Sequence, residues 1–167
     1  SLAEDGVDYH DNPEMVTPGK YLSITFIHDH HKGKFTSDIR STDNDLQIWE
    51  VEVAGKSLEE AVILNWSFPQ PADANTEIIL LDDLNRKTIS MHDKQHLELG
   101  MISDRFPRKL HIVSGPVDLV QNAVSELLAA IPEQFVLHQN YPNPFNPSTK
   151  FKISIIEMNN LVVDVYD

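Results

Sequence analysis

The sequence predicts a mainly β protein: an antiparallel β-sandwich, one amphipathic helix towards its C-terminal side, then the first strands of a second sandwich. Three observations predict it. Short runs of period-two alternation dominate residues 21–115, a single segment then switches to helical spacing, and a Pro/Asn-rich stretch separates that segment from a last alternating pair. The corresponding divisions are an N-terminal arm or linker (1–20), a β-sandwich (21–115), a bridging helix (116–132) and a partial C-terminal domain (133–167).

The arm, residues 1–20, is polar and acidic and is punctuated by Pro13 and Pro18, so little core content is expected of it. In "YLSITFIH", Leu22, Ile24 and Phe26 fall on one face and Ser23 and Thr25 on the other. "LQIWEVEV" sets Trp49, Val51 and Val53 against Glu50 and Glu52. "AVILNWSF" sets Val62, Leu64, Trp66 and Phe68 against Asn65 and Ser67. Such alternation reads as half-buried strands, one face on a core and one in water. "EIILLDD", "KTISM", "HLELG" and "KLHIVSG" supply further strands, divided by turns at "DDLNR" and "SDRFPR". From Gly115, Val117, Val120, Val124, Leu127, Leu128 and Ile131 recur at helical spacing. Pro116 suits a first helical turn and Pro132 stops the run. That helix is expected to cover an open side or end of the sandwich. After the Pro/Asn stretch, Phe151, Ile153 and Ile155 alternate with Lys150, Lys152 and Ser154, and "EMNN" is read as a hairpin turn into "LVVDVYD". Two strands do not make a self-sufficient domain, so the end is read as the opening piece of a second β-domain whose unpaired edges favour self-association.

Composition narrows the function. With 167 residues, 41% hydrophobic and 8% aromatic, the chain can build a packed core. Its formal charge of −13 lacks the basic footprint that nucleic acid requires. The absence of cysteine removes disulfide frameworks, thiolate metal sites and cysteine nucleophiles. No run approaches the roughly 18 apolar residues of a membrane span, and the acidic opening "SLAEDGVDYHDNPE" is unlike a secretory leader.

Several patterns resemble chemistry without supplying it. "HDKQH", His92 to His96, has the histidine spacing of a zinc-protease helix. Asp93 stands where a glutamate is needed, however, and the flanks read as strands, so a turn is expected. In "FIHDHHKGKF", His28 and His30 would point the same way on a strand and could chelate a metal. The adjacent Lys32, Gly33 and Lys34 instead mark a hairpin tip, and an exposed polar turn is expected. "STDNDLQ" brings Asp43 and Asp45 together without the glycine and later acid of a calcium loop. Trp49 and Trp66 could form a sugar platform only on the solvent face, and their parity places them inside. No catalytic, cofactor or metal residue is therefore assigned.

"HQNYPNPFNPSTKF", residues His138 to Phe151, is the most distinctive stretch. Proline fixes φ and removes backbone donors, which excludes helix and inner strand. Residues preceding proline favour extended geometry, and Asn140, Asn143 and Asn146 can close local turns. Physically this is a stiff docking segment, with Tyr141 and Phe145 free to anchor on another surface. "FVLHQNYPNPFNPSTKFKISI" also resembles the start of the type A C-terminal sorting domain of the type IX secretion system of Bacteroidetes and allied bacteria. Leu137, Gln139, Asn140, Tyr141, Pro142, Asn143, Pro144, Phe145, Asn146, Pro147 and Thr149 carry the likeness, over residues 133–167. The resemblance implies a small immunoglobulin-like β-sandwich read by the outer-membrane export machinery, with the last strands of such a domain missing here. "FTSDIRS", "QIWEVEV", "VILNWSF", "EIILLDD" and "LHIVSG" resemble the sandwich that often precedes such domains in large surface proteins. The resulting expectation is a non-catalytic C-terminal region of a secreted or cell-surface protein of a Gram-negative bacterium. The alternative is a carbohydrate- or protein-binding sandwich, and a histidine-based metalloenzyme is a distant third.

Overall fold

The computed structural model describes residues 11–14, 19–28, 33–40, 45–68, 75–133, 136–144 and 146–154. The protein is mainly β with antiparallel sheets and one helix among these residues. Backbone contacts divide it into two compact units, Ser1–Leu128 and Ala129–Asp167.

In the first unit the alternating runs become β1 (Tyr21–Ile27), β2 (Lys34–Phe35), β3 (Gln47–Lys56), β4 (Val62–Asn65), β5 (Thr76–Asp82), β6 (Lys87–Ser90), β7 (His96–Gly100) and β8 (Arg108–Pro116). Six of them form one sheet in the order β2-β1-β3-β8-β5-β6, and β4 pairs with β7 as a separate two-stranded ribbon. The two sheets are thus very unequal in width.

The side-chain period of two sorts the large sheet into two apolar faces. On the first, Val51, Val53, Leu80, Ile89 and Leu110 are buried in one cluster with Val62, Leu97 and Leu99 of the ribbon. On the second, Ile79 and Val113 pack with Val120, Ala123 and Val124 of α1 (Val117–Ala130). The helix therefore covers part of the sheet face opposite the ribbon. Its expected stripe holds at Val120 and Val124, whereas Val117 stands 55% exposed. Pro116 ends β8 instead of opening the helix. At Gly115 a Cβ would lie 2.5 Å from the Asp45 carbonyl oxygen, so β8 can pass that backbone only because the residue is glycine.

Beside the buried Leu81, which lies opposite His111, the second face also carries charged side chains. Glu52 lies beside Lys109 and Glu50 beside His111 in register. Lys34 pairs with Glu52, Lys109 Nζ reaches Glu50 Oε1 at 2.8 Å, and His111 Nδ1 is 2.8 Å from Asp83 Oδ1. Charges of both signs on β2, β3, β8 and the turn after β5 suit a solvated face.

Two expectations about burial need correction. The parity of β1 is as read, since Ile24 pairs with Val53 and Phe26 with Val51 on the core face. Yet Leu22 and Ile24 remain 52% and 45% exposed, while Thr25, on the polar side, is buried to 1%. Parity selects a face, but only a covering layer buries it. The arm is also more engaged than its polarity suggests. Glu14 N donates to Lys34 O and Thr36 N to Asn12 O, both at 2.7 Å, so Asp11–Glu14 line the outer side of β2. Asp11 is buried and accepts from Ile39 N at 3.2 Å.

In the second unit, β9 (Val136–Leu137) pairs antiparallel with β10 (Ile153–Ser154). The first partner of the "TKFKISI" strand therefore precedes the Pro/Asn stretch. The expected hairpin at "EMNN" and the strand "LVVDVYD" lie outside the described residues.

Candidate functional site

The Pro/Asn segment is the loop that joins β9 to β10. His138 N donates to Lys152 O at 2.9 Å, continuing the ladder beyond the two strands. Tyr141 and Lys150 then exchange backbone hydrogen bonds at 3.1 and 3.0 Å, closing the loop at its neck. Inside the neck, Asn140 Nδ2 donates to Thr149 Oγ1 at 3.1 Å, and that hydroxyl donates to Pro142 O at 2.9 Å. The threonine hydroxyl thus accepts and donates at once, tying together the two sides of a segment that prolines keep out of any ladder.

The segment thus folds back on itself between its bonded ends. Gln139, Asn140, Tyr141, Pro142, Asn143, Pro144, Asn146 and Pro147 all belong to it, and Phe145 lies outside the described residues. The Tyr141 ring is 81% exposed. Its backbone is fixed while its side chain is free, an arrangement that lowers the ordering cost of binding. The Thr149 pairing escaped the sequence reading, which assigned turn closure to asparagines alone. The Asn140/Thr149 spacing across a proline-rich loop was the available signal.

The other candidates do not assemble into a site. His92 sits in the Met91–Asp93 turn, its Nε2 3.1 Å from Thr76 O, whereas His96 opens β7, so the two share no helix face. His28 is better buried than a hairpin tip would be. Its Nε2 lies 3.2 Å from Asp38 Oδ2 without completing hydrogen-bond geometry. Arg40 forks onto the same carboxylate at 2.8 and 2.9 Å. A guanidinium that already neutralises Asp38 leaves it poorly suited to a metal. His30 and Asp43 lie outside the described residues, and among those described no group of three or more acidic or histidine side chains converges.

Trp49 and Trp66 both pack against the first core cluster. The Arg40 guanidinium sits 5.7 Å from the Trp49 ring centroid, and Trp66 Nε1 donates to Met91 O at 3.0 Å. Neither ring forms a free sugar platform. A cleft of about 650 Å³ between β6 and β7 is lined by Lys87, Lys94 and His96 against Asp93 and Glu98. These mixed charges form no convergent set.

Among the described residues, no helix is long and apolar enough to cross a membrane. No family model, curated protein or solved structure matches the chain.

Proposed function

We propose that this chain is a non-catalytic C-terminal region of an exported bacterial surface protein. Its first unit is an accessory immunoglobulin-like β-sandwich. Its second is the opening of a type A sorting domain addressed to the type IX secretion machinery of the outer membrane. The observation that carries this reading is the loop from Gln139 to Pro147. An uncommon motif is held by a hydrogen-bonded neck and offers Tyr141 to solvent. A mainly β first unit built of antiparallel sheets suits a scaffold role.

The test is to place the full chain behind a periplasm-targeted reporter in a bacterium that has a type IX system. The reporter is expected at the cell surface. Tyr141→Ala is expected to lower surface delivery about tenfold, the loss typical of an exposed aromatic anchor. Retention of the unmodified fusion in the periplasm, or equal delivery in a host without the system, would refute the reading.

A further inference from the structure

We propose that the outer edge of β1 is a self-association surface, on which a second copy of this chain adds its own β1 antiparallel. Strand edges template pairing unless they are short, charged, interrupted by proline or covered. The other ends of the large sheet meet those conditions. β6 has four residues and opens on Lys87, while β2 has two residues and carries Pro13 and its neighbours along its outer side. β1 does not meet them. Among the described residues its outer edge is paired only at Phe26 and Ile27, which leaves Tyr21–Thr25 open.

The open stretch "YLSIT" has no charge, proline or glycine, and it begins between Lys20 and the paired Lys56. In a chain of charge −13, a rim without carboxylates is one along which two copies can approach with little repulsion. The pattern is also self-complementary. Antiparallel pairing about Ser23 sets Leu22 opposite the second copy's Ile24, and Ile24 opposite its Leu22. Directly opposed residues share a face, so the two half-exposed pairs would merge into one apolar cluster beside Val53. The two-fold axis makes the contact closed and isologous. Few residues take part, so the dimer is weak and concentration-dependent.

Sedimentation of the full chain, from micromolar to about 1 mM, should show a reversible monomer–dimer equilibrium. Ile24→Lys is expected to weaken it more than about tenfold, because two buried cations would face apolar neighbours across the axis. Ile63→Lys, at another exposed site on β4, should leave it unchanged. Far-UV circular dichroism checks that both variants remain folded. Because the chain has no cysteine, Ser23→Cys adds a single thiol at the axis, and mild oxidation should link two copies through it. A monomer at every concentration, a dimer indifferent to Ile24→Lys, or no cross-link in a dimeric Ser23→Cys sample would overturn the proposal.

Discussion

Asp82 is fully buried on the core face of the large sheet. It is tolerated there because Arg108 meets it with two hydrogen bonds, Nε to Oδ1 at 3.1 Å and Nη2 to Oδ2 at 2.8 Å, and Asn85 Nδ2 adds a third at 2.8 Å. Removing one partner strands the other charge. Arg108→Leu is therefore expected to cost about 3–5 kcal/mol in urea unfolding, and Asp82→Leu with Arg108→Leu distinctly less. A double variant as unstable as the single one would contradict this. Lys109 titrates above its ordinary value of 10.5, chiefly through its hydrogen bond to Glu50 and then the nearby carboxylates, with burial opposing. A raised folded pKa contributes stability below the unfolded value and loses it as pH rises through the folded one. The stability difference between the parent and Glu50→Gln should thus be full at neutral pH and shrink above about pH 10.5. It should be small, because the lysine is half exposed and solvent screens the pair.

At the scale of elements, α1 forms because its apolar residues return every third or fourth position, and it stays because the second sheet face needs cover. Val120 is fully buried against that face. Val120→Ala removes two methyl groups and leaves a cavity, for an expected loss of about 2 kcal/mol in the same unfolding assay. Val117→Ala, on the exposed first turn, should change stability by less than about 0.5 kcal/mol. Most strands of the first unit were legible in the sequence as runs bounded by turn residues, but the two-residue β2 was not, and β5 buries Ile79–Asp82 in succession instead of alternating. Trp49, Val51 and Val53 lie on the core side as the pattern implies. What the pattern could not supply was the depth of cover. The narrow ribbon, together with the chain around it, leaves Leu22 and Ile24 half exposed. In the Pro/Asn loop, proline spacing foretold the lack of regular structure, but the neck depends on Thr149 and Lys150 meeting residues seven or nine positions earlier.

For the whole molecule, the two units express two kinds of physics. The first is organised by burial, with apolar clusters on both faces of one sheet. The second is organised by a hydrogen-bonded neck, and Leu137, Tyr141 and Phe151 stay on its surface. The export experiment and the sedimentation experiment probe them separately. Tyr141→Ala should spare dimerisation, and Ile24→Lys should spare delivery of the reporter.

Local sequence was enough for the mainly β character, the core-facing parity of β1 and β3, the helix and the irregular proline-rich loop. All of these are written in local periodicity and in the stereochemistry of one residue and its neighbours. Tertiary structure alone decided the pairing of β3 with β8 and of β9 with β10, the burial of Thr25 and Asp82, the exposure of Leu22 and Ile24, and the closure of the loop by Thr149. Each depends on residues distant in the chain meeting in space. Local pattern reports which way a side chain points, and only the assembled layers settle what it meets there.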